Sequence, residues 1–220
     1  MVYSDANYQE PYSVDCLSAS QLCCIKQDRE LFEGLSLQVS AGEALHVVGD
    51  NGAGKTSLLR ILAGLSQPQR GSVVWNQVDI SEQPELYNTA VLYLGHKLAL
   101  NGHLTARENL KFWCGLHQIE ADTDFYVLLA HLGLTGLEDV PVVNLSAGQQ
   151  RRVSLCRIWL KQAKLLILDE PFNALDVDSR ALLENKLQQH VDGGGLLILT
   201  SHWQLPEVFH TRELRLEYNI

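Results

Sequence analysis

The chain lacks long hydrophobic runs, and its uninterrupted apolar stretches, such as residues 165–168 and 196–199, span only a few residues each. A helix needs about 20 apolar residues to cross a bilayer, so we expect no transmembrane segment and membrane contact only through partners. The N-terminus combines no basic residues with an apolar stretch, and we therefore expect no export.

Metal-binding patterns are also missing. The five cysteines form no C-x-x-C pair and no zinc spacing, and the eight histidines include no pair spaced four residues apart. The sequence therefore predicts reduced, buried cysteines in the cytosol and neither a haem nor a transition-metal site in this chain.

A surplus of positive charge is absent as well. The 17 Lys and Arg residues against 26 Asp and Glu residues give a formal net charge of −9. This balance argues against a broad surface for nucleic acid, and we expect no nucleic-acid partner. A length of 220 residues, 46% of them hydrophobic, predicts one compact α/β domain with a sizeable core.

What the chain does contain is a complete G-x-x-x-x-G-K-[ST] motif between an apolar run (residues 44–48) and a helix-forming run (residues 57–63). Glycines let backbone amides turn inward around phosphate oxygens, and the helix N-terminus adds positive charge. The residues predicted to bind the nucleotide are Gly49, Asp50, Asn51, Gly52, Ala53, Gly54, Lys55 and Thr56. Lys55 would reach the β- and γ-phosphates, and the Thr56 hydroxyl would bind Mg²⁺. The motif predicts binding of a nucleoside triphosphate.

A second motif is the hydrophobic run at residues 165–168, which ends in Asp169 and Glu170. A strand beside the phosphate loop would bring Asp169 to Mg²⁺ through a water, and Glu170 would orient or deprotonate the attacking water. An acidic strand end without a role is the alternative, and the complete phosphate loop argues against it.

The third motif, Leu145-Ser146-Ala147-Gly148-Gln149, resembles the LSGGQ signature of the ATP-binding-cassette (ABC) family, with Ala in place of one Gly. Ser146 also suits a helix N-cap. Residues 173–176 resemble the D-loop of the family, and His202 holds the position of its switch histidine. These elements follow one another in family order from residue 42 to residue 202.

The resemblance implies a P-loop NTPase fold of the ABC type, in which an antiparallel β subdomain and a helical subdomain accompany an α/β core. The domain would span residues 17–220, with a helical lobe at about 98–162, after a flexible N-terminal segment at residues 1–16. It implies ATP and Mg²⁺ as ligands and a head-to-tail homodimer. In that dimer the signature and D-loop would bind the nucleotide of the other subunit through Ser146, Gly148, Gln149 and Asp176. Glu170 and His202 would act on the γ-phosphate, with Thr56 and Asp169 at the metal.

Within the family, residues 94–96, 104–110, 145–153 and 168–176 are similar to stretches of the haem-exporter ATP-binding subunits of bacterial cytochrome c maturation. That resemblance implies a peripheral subunit on the cytoplasmic face of the inner membrane. It would dock on integral membrane subunits, and ATP hydrolysis would release a haem-loaded chaperone. The haem assignment rests on resemblance alone. An ABC subunit for another cargo and a non-transport nucleotide-binding scaffold remain alternatives.

Two positions depart from the family pattern. Lys97 stands where ABC proteins carry a glutamine that senses Mg²⁺, and lysine offers only donors. We expect weaker coupling between nucleotide state and lobe movement, or slower hydrolysis. Lys26 stands where an adenine-stacking aromatic is usual, with Phe32 nearby and Arg29 able to stack its guanidinium instead. We therefore expect the chain to discriminate only weakly between ATP and GTP.

Overall fold

The computed structural model describes residues 15–27, 29–120, 124–202 and 211–217. In chain order its strands are β1 (Cys16–Lys26), β2 (Arg29–Ser40), β3 (Ala44–Val48), β4 (Arg70–Trp75), β5 (Val78–Asp79), β6 (Val91–Leu94), β7 (Leu165–Asp169), β8 (Leu196–Thr200) and β9 (Arg212–Arg215). Its α-helices are α1 (Lys55–Leu62), α2 (Pro84–Ala90), α3 (Ala106–Leu116), α4 (Phe125–His131), α5 (Ala147–Leu155), α6 (Arg157–Leu160) and α7 (Val177–Asp192).

An antiparallel sheet is formed by the first part of the chain. Its four strands lie in the order β2-β1-β4-β5, and β1 pairs with both β2 and β4. Leu17 and Ala19 of β1 are buried while Ser20 is exposed, the alternation expected where one face of a sheet is covered. This face packs against α1, so the antiparallel sheet lies next to the phosphate loop.

The second sheet is parallel and forms the centre of the molecule. Its five strands lie in the order β6-β7-β8-β3-β9, and every residue of β7 and β8 is buried. Strands covered by helices or sheet on both faces need apolar side chains on both, which explains their uninterrupted hydrophobic runs. As expected, β7 ends beside the phosphate loop, where the Asp169 carboxylate accepts a hydrogen bond from the Thr56 hydroxyl. β8 lies between β7 and β3, because α7 carries the chain back across the sheet and inserts β8 at that place.

Helices α3 to α6 lie within the range, about 98–162, in which a helical lobe is expected. Thr105 caps α3 with a capping box, in which its hydroxyl accepts a hydrogen bond from the Glu108 amide while the Glu108 carboxylate accepts one from the Thr105 amide. Helix α2 is not predicted from the sequence, although Pro84 occupies the first helical position, where its fixed φ favours a helix start. A buried cluster that includes Leu110 and Leu129 joins these helices to the parallel sheet.

In the part of the chain that the structure describes, no helix is both long enough and apolar enough to cross a bilayer. Of the N-terminal segment expected to be flexible, residues 1–16, only Asp15 and Cys16 lie within the described residues. Cys16 opens β1, and Asp15 forms an ion pair with Lys164 at 2.8 Å.

Asn109 is a buried polar residue that fixes the loop before α3. Its side-chain oxygen accepts a hydrogen bond from the Asn101 amide at 2.8 Å, and its amide nitrogen donates to the carbonyls of Asn101, Leu104 and Thr105. One side chain thus satisfies backbone groups on both sides of the turn into the helix.

We expect Asn109→Ala to lower the free energy of unfolding by about 2–3 kcal/mol, since it removes the four hydrogen bonds that this buried side chain makes to the backbone. Urea unfolding followed by circular dichroism measures the change. Lys111→Ala, at an exposed position of the same helix, is the control and should change stability by less than about 0.5 kcal/mol. Equal effects of the two substitutions would contradict this role of Asn109.

Candidate nucleotide-binding site

The phosphate loop connects β3 to α1 through backbone conformations that require glycine. Gly49 and Gly54 have φ values of +150° and +99°, in a region that L side chains rarely adopt. A Cβ on Gly49 would also lie 2.5 Å from the Leu216 carbonyl oxygen. Gly54 directly precedes α1, so the free amides at the helix start face the space in front of the loop.

Two side chains at the start of α1 complete this loop. The Lys55 ammonium donates hydrogen bonds to the carbonyls of Gly49 at 2.5 Å and Asp50 at 3.1 Å, which holds its charge across the loop. The Thr56 hydroxyl donates to the Asp169 carboxylate at 2.8 Å. A hydroxyl beside a carboxylate is a donor set of hard oxygens, which suits Mg²⁺.

Thr200, at the end of β8, contacts both acidic residues at the end of β7, Asp169 and Glu170. Its hydroxyl donates to Asp169 Oδ1 at 2.9 Å and accepts a hydrogen bond from the Glu170 amide, also at 2.9 Å. Thr200 and Asp169 are almost completely buried. Sequence reasoning assigns this threonine no role, and its only signal is that it is a polar residue at the end of an apolar strand, two residues before His202.

Glu170 has a strained backbone conformation, and His202 contacts both oxygens of its carboxylate. Its φ of +52° lies in the left-handed region, which costs a residue with a side chain about 1–2 kcal/mol. Glu170 Oε2 accepts a hydrogen bond from the His202 amide at 3.2 Å, and His202 Nε2 lies 3.4 Å from Oε1. Among the described residues, buried Oε1 accepts no hydrogen bond, so this oxygen can still accept one from a water.

A cavity of about 530 Å³ opens in front of the loop. Its lining includes predicted site residues of the phosphate loop and of the strand ends, namely Asp50, Asn51, Gly52, Gly54, Lys55, Thr56, Asp169, Glu170 and His202. Gly49 and Ala53 lie behind this surface, and Ala53 is buried. The structure thus brings together residues that are up to 152 positions apart (202 − 50) in the sequence.

Lys97, expected at the position of the family glutamine, does not line this cavity. Its neighbour His96 lines the cavity, whereas Lys97 lines a separate groove together with Val143 and Gln150. The direction of each side chain depends on how the loop after β6 is held.

The other end of the cavity is formed by the antiparallel sheet. Lys26, Gln27, Arg29 and Leu31 line it, and the described lining residues include no Phe, Tyr or Trp. Phe32, considered as a stacking residue, is buried, and its ring would lie 3.4 Å from a Cβ on Gly54. Phe32 therefore packs beneath the phosphate loop.

The signature residues lie at the start of α5 and do not line this cavity. Ser146 caps the helix as predicted: its hydroxyl accepts a hydrogen bond from the Gln149 amide, and Gln149 Oε1 accepts one from the Ser146 amide. Gly148 packs against the D-loop, where a Cβ would lie 2.6 Å from the Ala174 carbonyl oxygen. Asp176 caps α7 by accepting a hydrogen bond from the Ser179 amide. Ser146, Gly148, Gln149 and Asp176 thus lie apart from the phosphate loop of their own chain.

The family model "ABC transporter" matches residues 32–173. The chain is 46% identical over 189 residues to the cytochrome c biogenesis ATP-binding export protein CcmA of Escherichia coli strain K12, an alignment that covers 86% of this chain and 90% of the relative. The protein of the same name from Haemophilus influenzae is 45% identical over 201 residues, covering 91% and 94%.

Solved structures share the fold. The structure of an ATP binding subunit of an ABC transporter superposes with a TM-score of 0.73 at 24% identity and covers 84% of this chain and 79% of its own. A putative ABC transporter (ATP-binding protein) from Pyrococcus furiosus gives a TM-score of 0.74 at 22% identity, with coverages of 91% and 97%. The predicted ABC-type α/β fold is thereby confirmed, and the chain belongs to the ABC transporter family.

Proposed function

We propose that this chain is the ATP-hydrolysing subunit of a haem-exporter-type ABC complex that serves c-type cytochrome biogenesis. The identity of 45–46% to export proteins of that process supports the assignment of the complex. One observation carries the assignment of hydrolysis: Thr56, Asp169, Glu170 and His202 line a single cavity at the phosphate loop, and Glu170 Oε1 accepts no hydrogen bond within the described residues.

Binding of the triphosphate follows from the loop. The free amides at the start of α1 and the Lys55 ammonium would face the β- and γ-phosphates of a bound nucleotide, and both favour negative charge. When bound between the Thr56 hydroxyl and the Asp169 carboxylate, Mg²⁺ would neutralise part of the phosphate charge and so assist departure of ADP. Thr200 holds the Asp169 carboxylate in position for this ion.

Hydrolysis requires a group that accepts a proton from water, and Glu170 supplies it. The water oxygen bonds to the γ-phosphorus, its proton passes to Glu170 Oε1, and the bond from the γ-phosphorus to the bridging oxygen breaks. ADP and phosphate result. His202, which lies 3.4 Å from the same carboxylate oxygen, donates a hydrogen bond to the γ-phosphate and fixes the Glu170 side chain.

The signature surface implies that two copies of the chain act together. Ser146, Gly148 and Gln149 form a helix N-terminus that suits a phosphate, yet they lie away from the cavity of their own chain. In a head-to-tail homodimer they would bind the γ-phosphate held by the other subunit, with Asp176 at the interface. ATP would then close the dimer and hydrolysis would open it. Integral membrane subunits would transmit this motion from the cytoplasmic face of the inner membrane to release of the haem-loaded chaperone.

Substitution of the proposed base tests the hydrolysis step. We expect Glu170→Gln to lower the ATPase rate at least about 100-fold, because an amide cannot accept the proton. The same variant should bind ATP and accumulate as a dimer, measured by size-exclusion chromatography with and without ATP. Glu85→Gln, at an exposed glutamate of α2, is the control and should hydrolyse ATP at the wild-type rate. Rapid turnover by Glu170→Gln would contradict the role of Glu170.

The end of the cavity that the antiparallel sheet lines, where the nucleotide base would bind, predicts weak discrimination between adenine and guanine. Lys26 and Arg29 hold the place where an aromatic ring would stack, so we expect the dissociation constants for ATP and GTP to agree within about 10-fold, a difference of 1.4 kcal/mol. Lys26→Tyr should tighten binding of both nucleotides at least about 5-fold through stacking. Equilibrium binding with fluorescent analogues of ATP and GTP measures these constants. A strong preference of the wild type for ATP would refute the prediction.

A further inference from the structure

The proposed mechanism does not use one buried cation next to the site. Arg151 lies on α5, five residues after the helix cap Ser146, and its exposed fraction is only 6%. Its Nη1 donates a long hydrogen bond to the Gly95 carbonyl, with 3.4 Å between nitrogen and oxygen. Burial of a guanidinium is costly unless nearby groups compensate its charge, so the position calls for an explanation.

The compensating charges are those of the catalytic carboxylates. Burial lowers the pKa of Arg151, and the negative charges of Asp169 and Glu170 act in the opposite direction. Arg151 therefore lies within electrostatic reach of both groups from the side of α5, whereas Thr56, Thr200 and His202 contact them from other elements. A change in the position of α5 would change the field at Glu170.

Helix α5 and the adjoining α6 also hold the loop that follows β6. Ser154 of α5 and Arg157, the first residue of α6, donate hydrogen bonds to the Leu98 carbonyl at 3.2 and 3.0 Å. Arg157 donates a further one to the Ala99 carbonyl at 2.7 Å. This loop carries His96, which lines the nucleotide cavity. A displacement of α5 would therefore carry the loop and His96 with it.

The N-terminus of α5 is the signature surface, and Arg151 lies about 7.5 Å from it along the helix axis. The capping box formed by Ser146 and Gln149 fixes this first turn. On the proposed function, the N-terminus meets the γ-phosphate of the other subunit. Helix α5 is short and rigid. It thus connects a contact with the nucleotide of the other subunit to the carboxylates of Asp169 and Glu170, which act on the nucleotide of its own subunit.

We propose that Arg151 is a positioning residue that couples the two nucleotide sites of the dimer. ATP bound by one subunit would seat α5 of the other through Ser146, and Arg151 would then place Glu170 and the Gly95–His96 segment for hydrolysis. The proposal rests on the proposed function, because it requires the head-to-tail dimer. This role differs from an ordinary structural one because substitution of Arg151 should lower the catalytic rate and leave the affinity for ATP unchanged.

The test compares Arg151→Met with Arg151→Lys in the full chain, purified with its membrane subunits. We expect the Met variant to lower kcat about 10-fold, within the range of 5–150-fold that is typical of coupling between sites. Its dissociation constant for the fluorescent analogue TNP-ATP should stay within about 2-fold of the wild type, since Arg151 does not line the cavity. The Hill coefficient for ATP should fall to 1. Arg151→Lys, which keeps the charge, should hold kcat within about 3-fold of the wild type.

The control is Arg60→Gln, which alters an exposed arginine of α1 and should leave kcat and the Hill coefficient unchanged. Wild-type kcat in Arg151→Met, or a wild-type Hill coefficient of 1, would overturn the coupling. If the Met variant fails to fold, the Lys variant decides, and a 10-fold loss of kcat in folded Arg151→Lys would contradict the proposal. The ATP-dependent dimer of Glu170→Gln is measured in parallel. Its absence would refute the dimer itself, whereas its presence with an unaffected Arg151→Met would refute the coupling alone.

Discussion

The hydroxyl of Thr200 connects the ends of two buried strands, and the geometry of the site depends on this contact. It donates to Asp169 and accepts a hydrogen bond from the Glu170 amide, so the side chain of one carboxylate and the backbone of the other share one anchor. Parallel pairing places the carboxyl ends of β3, β7 and β8 at the same edge of the sheet. The phosphate loop, the two carboxylates and His202 follow directly from those ends, so the sheet fixes them within a few ångströms of one another.

Short sequence motifs make many of these site residues predictable. The phosphate loop, the carboxylates after β7 and the caps at Thr105 and Ser146 are encoded by neighbouring residues, and the structure has them where the sequence places them. The uninterrupted apolar runs of β7 and β8 likewise fit the buried parallel strands that they form. Local chemistry was sufficient wherever the determining contacts lie within a few positions along the chain.

Longer-range arrangements were not predictable in this way. The insertion of β8 between β7 and β3 depends on how α7 returns the chain, and the sequence of each strand is equally apolar. His96 points into the cavity and Lys97 away from it. These directions depend on hydrogen bonds from Ser154 and Arg157 to the Leu98 carbonyl, and both donors lie more than 50 positions later in the sequence. The burial of Arg151 likewise follows from packing between distant elements.

The packing of Gly148 on Ala174 determines which changes the signature segment can accept. Ala147 is exposed at the first position of α5, so its methyl group meets no obstacle, and the family glycine is dispensable there. A methyl group at position 148 would collide with a backbone carbonyl that cannot rotate aside, and Ala174 itself already has a φ of +61°. Substitutions can therefore accumulate at position 147. Position 148 remains restricted to glycine unless the conformation of the D-loop changes at the same time.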